Sequence, residues 1–190
     1  MNSSSAVSMI PLPWLKTALA LSLLFLMLSC NTIEIREQSV FDAHRTITPV
    51  DFDIPEFTLH QQTIVTDDGQ HLDSWFLEHK KASATVLYIG GSGFLMVKSR
   101  PLIEAYAQAG VHLMLFDFRG YGKSSGEPSV AGLKKDVESV FEFIEQKQAD
   151  KETQTGEAME KNLPVFIHGH SMGSLLAGWL ANKKPVSGCI

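Results

Sequence analysis

A glycine-flanked serine, placed between an apolar strand and an apolar helix, constrains the fold of this chain more than any other feature. Residues 169–173 read GHSMG and fit the pattern G-x-S-x-G, with Ser171 at the centre. The apolar run 163–167 precedes the pattern, and the segment 171–183, which we predict to be a helix, follows it. Strands that pass directly into helices are typical of a parallel sheet covered by helices on both faces.

The chain from residue 57 onward alternates between strand patterns and helix patterns. Residues 57–66 and 72–77 alternate around the turn Asp67-Asp68-Gly69, which predicts a hairpin. The continuous apolar runs 85–89 and 111–116 are typical of strands buried on both faces. This alternation predicts an α/β fold with a mostly parallel sheet and right-handed crossovers. Further predicted strands are 163–167 and 186–190, and the predicted helices are 101–109, one beginning at Ser129, and 171–183.

The polar segment 148–162 stands between the second predicted helix and the strand that leads to Ser171. At about 15 residues it is longer than most connections between elements of a compact domain. We therefore expect a mobile surface loop here.

Composition excludes several classes of protein. With 44% hydrophobic residues among 190, the chain has the apolar material for one packed domain and is neither disordered nor collagen-like. Its net charge of −5 argues against a nucleic-acid partner, which requires a basic surface. The chain has two cysteines, Cys30 and Cys189, which are too few for disulfide bonds to define the fold. The apolar neighbours of Cys189 predict a buried strand residue.

The N-terminal segment 1–30 predicts export. It contains no Asp, Glu or Arg, and its single Lys16 precedes an apolar stretch of 12 residues, 17–28. A bilayer-spanning helix needs about 20 such residues, whereas a short apolar core followed by small residues is typical of a signal peptide. The ending Met27-Leu28-Ser29-Cys30 looks like a bacterial lipoprotein cleavage box, so we predict lipidation of Cys30.

The alternatives to lipidation are an uncleaved signal anchor, or ordinary cleavage that leaves Cys30 unmodified. In the preferred interpretation the protein is exported and anchored to a membrane. Residues 31–56, which carry Pro49 and Pro55, are then a tether with little structure of its own.

The setting of Ser171 predicts a nucleophile for acyl transfer. A serine in a tight turn between strand and helix needs small neighbours two positions away on each side, and Gly169 and Gly173 supply them. The helix that follows presents free backbone amides, which stabilise the oxyanion formed when a hydroxyl attacks an acyl carbon. We expect one amide from Met172 and a second from Ser92, in the glycine-rich loop 90–94.

Other interpretations of these motifs fit less well. A glycine–serine turn with a purely structural role would explain GHSMG without a catalytic serine. A dinucleotide loop would need glycine where Met96 stands, and a phosphate loop ending at Gly122-Lys123-Ser124 would need glycine where Asp117 stands. The pair His168 and His170 lacks a third metal ligand at a recognisable spacing. We therefore expect neither a metal nor a cofactor.

Four motifs in order resemble one known family. Residues from about 57 to 190 resemble α/β-hydrolases of the serine aminopeptidase-like and monoacylglycerol-lipase-like group. The resemblance implies an α/β-hydrolase fold of which 57–190 is the N-terminal part. The chain departs from the family in having Gly90 where a histidine commonly precedes the oxyanion loop. The motifs are the strand ending in Gly90-Gly91, D-x-R-G-x-G-x-S at 117–124, P-S-x-x-G-L-x-x-D at 128–136, and GHSMG at 169–173.

The family's acid and base are missing from the residues that follow Ser171. In such enzymes the order along the chain is serine, then aspartate or glutamate, then histidine. Residues 172–190 contain no Asp, Glu or His, and neither His168 nor His170 is expected to serve Ser171. A serine hydroxyl needs a neighbouring base to become a nucleophile at neutral pH. We expect a chain truncated before the triad is complete, with strands missing from the sheet.

These observations together predict the first part of an exported, membrane-tethered serine hydrolase. Its substrate is a small acyl-containing molecule, an ester, thioester or amide, cleaved through an acyl-Ser171 intermediate. The truncated chain itself is expected to be inactive. The alternative is a non-catalytic lipoprotein that uses the hydrolase fold as a binding surface.

Overall fold

Six strands form one mixed sheet in the computed structural model, which describes residues 13, 14, 16, 22, 40–45, 53–155 and 163–190. Residues 36–190 make one compact unit. In the other unit, 1–35, the four described positions are helical. The predicted signal segment and Cys30 lie outside the described residues. No helix in the described part of the chain has the length and apolar character needed to cross a bilayer.

The strands follow the order β1-β2-β4-β3-β5-β6 across the sheet. β1 pairs with β2, and β2 with β4, in antiparallel fashion, whereas β4, β3, β5 and β6 run parallel to one another. The mostly parallel sheet predicted from the alternating pattern is therefore confirmed. The bounds are β1 Phe57–Val65, β2 His71–His79, β3 Thr85–Ile89, β4 His112–Phe116, β5 Val165–Gly169 and β6 Gly188–Cys189.

Three helices flank the sheet in the described residues: α1 Arg100–Ala109, α2 Val130–Thr155 and α3 Met172–Ala181. Pro101 stands in the first turn of α1, and Gly110 ends that helix with φ 66°. Ser129 caps α2, because its Oγ accepts a hydrogen bond from the Gly132 amide at 3.0 Å. These boundaries agree with the local signals in the sequence.

The predicted loop 148–162 is wrong over its first part, because α2 continues through Thr155. Residues 133–155 contain neither glycine nor proline, and the Gln, Lys, Glu and Ala among 148–155 are good helix formers. The Gln148 amide also donates to the Leu163 carbonyl at 3.0 Å, which ties this part of α2 to the start of β5. Residues 156–162 lie outside the described chain.

Apolar side chains fill both faces of the sheet. On one face, β-strand residues pack against α2 and α3; on the other, they pack against α1 and the residues that precede β1. The first face buries residues of α2 that recur at helical spacing, Leu133, Val137, Val140, Phe141 and Ile144, together with Leu176 and Leu180 of α3. The second face buries Ile54, Phe57, Ile103 and Ala107.

The last strand is shorter and more open than predicted. β6 comprises Gly188–Cys189 alone, and Cys189 is an exposed free thiol rather than a buried strand residue. The strand pairs on one side only, with β5, through Phe166↔Gly188 and Ile167↔Cys189. Cys189 is therefore not covered by a second strand among the described residues.

Candidate active site

Ser171 lies in the turn that joins β5 to α3. Its backbone has φ 54° and ψ −121°, and it is the one residue other than glycine with positive φ in the described chain. Residues with a Cβ adopt this region at a cost of about 1–3 kcal/mol, and such strain concentrates at functional sites. The turn raises Ser171 to an exposed position at the carboxyl edge of the sheet.

The two glycines that flank Ser171 allow the turn to pack against its neighbours. A Cβ on Gly173 would lie 2.0 Å from the Ile89 carbonyl oxygen, at the end of β3. A Cβ on Gly169 would lie 2.6 Å from the Cα of Ser174 and 2.7 Å from the Gly173 carbonyl oxygen. Both positions therefore require glycine for close backbone approach, as a nucleophile elbow demands.

The glycine-rich loop after β3 lies beside Ser171. β3 and β5 are paired neighbours, with Ile89 opposite Gly169, so their carboxyl ends meet at one edge. A Cβ on Gly91 would lie 3.2 Å from the Cβ of Ser171, so the loop passes close to the serine. The loop turns back at once, because the Phe94 amide donates to the Gly91 carbonyl at 3.1 Å.

The backbone amides of Met172 and Ser92 were predicted to bind the oxyanion. Among hydrogen bonds between described residues, neither amide has a partner. Met172 is the first residue of α3, where a helix leaves its amides without intrahelical partners. Both amides are thus available as donors, and their role at an oxyanion remains a prediction.

Neither histidine close to Ser171 in the sequence is arranged as its base. His168 Nδ1 forms a hydrogen bond with the Tyr106 hydroxyl of α1, and the ring lies edge-on to Tyr88. Burial, together with the neighbouring His170, lowers the pKa of His168. His170 is exposed, and its ring has no hydrogen-bond partner in the described part of the chain. Ser171 Oγ likewise has no partner there.

Asp117 braces the loop that carries Ser92. It directly follows β4, is only 2% exposed, and accepts a hydrogen bond from the Met96 amide at 2.8 Å. Its carbonyl also accepts the Ser124 hydroxyl at 2.6 Å. Burial raises the pKa of Asp117 to about 7, and the nearby Asp73 acts in the same direction. This carboxyl therefore joins the loop after β3 to the loop after β4.

Arg119 braces the second loop through two carboxylates. Its Nε donates to Asp136 Oδ1 of α2 at 2.8 Å, and its Nη1 donates to Asp68 Oδ2 of the β1–β2 turn at 2.9 Å. The hydrogen bonds from Arg119 lower the pKa of Asp68, whereas burial raises that of Asp136. No local signal in the sequence indicates the partner Asp68, which is 51 residues away from Arg119.

A short segment of the predicted tether, 40–45, contacts the same loops. The Gly122 amide donates to the His44 carbonyl at 2.8 Å, and Arg45 Nη2 donates to the Gly126 carbonyl at 2.8 Å. A Cβ on Gly93 would lie 3.5 Å from Asp42 Oδ2, and Phe41 packs against the core. Sequence reasoning missed these contacts, because nothing in the local pattern of 40–45 indicates a partner. The predicted domain boundaries stay a prediction.

The acidic and histidine residues of the described chain form no cluster of three or more that could hold a metal ion. Of the pair weighed as metal ligands, His168 is engaged by Tyr106.

The residues that form the candidate site fall within a range that matches one known protein family. Residues 80–190, more than half of the chain, match the serine aminopeptidase family, S33. The chain belongs to this family. YfhR of Salmonella typhi, an uncharacterised protein, is 29% identical to this family member over 119 residues, which are 58% of this chain and 41% of YfhR. A Xenopus tropicalis protein named lysophosphatidylserine lipase ABHD12 is 31% identical over 124 residues, which are 63% of this chain and 29% of that protein.

A solved structure shows the same fold. The Pyrococcus furiosus esterase Pf2001 superposes with a TM-score of 0.60 at 24% identity, over 77% of this chain and 56% of the esterase. This serine aminopeptidase family member is therefore an α/β-hydrolase in fold. It spans about two fifths of the length of YfhR, and less of the Xenopus relative.

Proposed function

We propose that this chain supplies the nucleophile and the oxyanion-binding amides of an exported serine hydrolase that is tethered to a membrane. The substrate is an ester, thioester or amide, and the intermediate is an acyl group on Ser171. The observation that carries the proposal is the positive φ of Ser171 at the end of β5, held by glycines that leave no room for a side chain.

The proposed reaction follows from the geometry of the turn. Ser171 Oγ attacks the acyl carbon while a base accepts the hydroxyl proton, and the carbonyl oxygen becomes an oxyanion. The amides of Met172 and Ser92 donate to that oxygen. When the tetrahedral intermediate collapses, the base returns the proton to the leaving group, and water then releases the acyl group by the same steps in reverse order.

Membership of this family supports acyl transfer as the reaction, but it does not select one substrate. The relatives include an esterase and a protein named as a lysophosphatidylserine lipase, so an ester is the first substrate class to examine. Thioesters and amides are attacked by the same nucleophile through the same oxyanion. The base and its orienting acid have to come from outside 172–190, because these residues contain no Asp, Glu or His.

The second candidate is a lipoprotein that keeps the fold as a binding surface without catalysis. Residues 172–190 supply neither the base nor the acid that catalysis by Ser171 requires, because they contain no Asp, Glu or His. The two candidates share the predicted export signal and the lipid on Cys30, and they differ only in whether a complete triad forms.

The deciding experiment reads the DNA beyond codon 190 and expresses the whole reading frame. An open frame that supplies an aspartate at a strand end and then a histidine, and a product that hydrolyses p-nitrophenyl esters, would support the enzyme. Ser171→Ala should lower kcat/KM by at least about a thousandfold, as expected for a lost nucleophile. Ser83→Ala, an exposed serine at the opposite edge of the sheet, should change it less than twofold. A stop at codon 190 with a stable monomer would favour the binding protein.

A further inference from the structure

The segment 40–45 attaches to the compact unit at the edge of the sheet that carries Ser171. Its contacts fall on Gly93 in the loop after β3, and on Gly122 and Gly126 in the loop after β4. Because β3, β4 and β5 are parallel, these loops and the turn at Ser171 share the carboxyl edge. The first described residues of this unit, 40–45, therefore lie beside the candidate active site.

Covalent length limits how far this edge can be from a membrane that holds Cys30. Ten residue steps separate Cys30 from Val40, and a fully extended chain covers at most about 35 Å in that distance. β1, with its nine residues, is itself about 30 Å long. If the opposite edge faced the bilayer, nearly all of the chain between Cys30 and Val40 would have to be extended to span the length of the unit. A signal anchor ending near residue 28 would impose a similar limit.

Apolar side chains are exposed at the same edge. α2 and α3 begin there, and β1 ends there, because it runs in the same direction as β4. Charged side chains of both signs, Lys123 and Glu127, stand exposed among them, which suits the headgroup layer rather than the hydrocarbon core. The exposed apolar side chains are Val40 (51%), Val65 (58%), Val130 (50%) and Leu175 (78%).

We propose that the carboxyl edge of the sheet rests on the lipid surface, so that Ser171 faces acyl groups presented by membrane lipids. The proposal rests on the membrane tether of the proposed function. Leu175, one turn along α3 from Ser171, is the side chain expected to enter the headgroup layer. The protein's net charge of −5 provides no overall attraction to an anionic lipid surface. The test therefore uses phosphatidylcholine, which has no net charge.

The test measures the depth of two labelled positions in the full chain after its own maturation in bacteria. In a Cys189→Ser background, Leu175→Cys and Ala109→Cys each carry an NBD fluorophore. Ala109 is the control, because it is exposed at the end of α1, at the opposite edge. The protein is reconstituted with phosphatidylcholine vesicles that contain lipid spin-labelled near the headgroup. We expect quenching at position 175 to exceed that at position 109 at least about threefold.

Each outcome decides the proposal. Equal quenching, or stronger quenching at 109, in protein that floats with the vesicles refutes the docked edge and leaves the tether intact. Protein that does not float, with Cys30 unmodified by mass spectrometry, refutes the tether and the docked edge together. If Leu175→Cys fails to fold, Val130→Cys, which is exposed at the start of α2, carries the label instead.

Discussion

The carbonyl oxygen of Ile89 lies 2.0 Å from the point that a Cβ on Gly173 would occupy. The end of β3 and the first turn of α3 are therefore in contact without a side chain between them, and this contact sets where Ser171 stands relative to the loop after β3. Any residue larger than glycine must push the two backbones apart.

Gly173→Ala is expected to destabilise the chain by about 2 kcal/mol or more, because backbone atoms cannot move aside as a flexible side chain can. The matched control is Gly178→Ala in the same helix, where nothing lies within 4 Å of the added Cβ. That variant should gain roughly 0.5–1 kcal/mol, because alanine favours the helix. Urea unfolding of both variants measures the difference, and equal stabilities would contradict the close contact.

Asp136→Asn should destabilise the chain by about 3 kcal/mol, since it removes one partner of a buried ion pair and leaves Arg119 with Asp68 alone. Asp136 is fully buried and Arg119 nearly so. Glu138→Gln breaks the Lys183–Glu138 pair, whose nitrogen and oxygen are 2.7 Å apart but whose lysine is half exposed, and should cost less than about 1 kcal/mol. If thermal or urea unfolding gives similar losses for both variants, Arg119 does not act as the brace described above.

The buried carboxyl of Asp117 should make stability depend on pH between about 4 and 7. Burial raises its folded-state pKa to about 7, so the neutral form favours the fold below the unfolded pKa, and that stability is lost as pH rises through 7. Asp117→Asn keeps an acceptor for the Met96 amide but cannot ionise.

The free energy of unfolding of Asp117→Asn relative to the unaltered chain should therefore increase from pH 4 to pH 8, by no more than about 4 kcal/mol. Urea unfolding at several pH values gives this difference directly. A difference that is constant with pH, or that falls as pH rises, would show that Asp117 ionises at least as readily in the fold as in the unfolded chain.

A polypeptide of these 190 residues should not turn over p-nitrophenyl acetate above the rate of its Ser171→Ala variant. The reason is the lack of Asp, Glu and His in 172–190, combined with the engagement of His168 by Tyr106. Initial rates at pH 7–8 provide the measurement. Turnover that Ser171→Ala abolishes and Ser83→Ala preserves would reveal a base elsewhere in the chain.

Elements set by neighbouring residues could be predicted from the sequence, whereas features that depend on distant residues could not. The strand 85–89, the hairpin and the cap at Ser129 followed from short patterns, because alternation, apolar runs and capping side chains act within a few residues. The far end of α2 did not, because the polar residues 148–155 lack an apolar stripe, although a hydrogen bond from Gln148 to Leu163 ties this part of the helix to the domain.

The strand-to-helix turn at Ser171 is encoded locally, because a serine flanked by glycines between two apolar elements can be recognised without any distant contact. Three other features became visible only in the folded chain: Asp68 completes the pairing of Arg119, Tyr106 holds His168, and 40–45 joins the loops beside the candidate site. These partners are many tens of residues apart along the chain. Their contacts depend on the order of strands in the sheet, which no local pattern encodes.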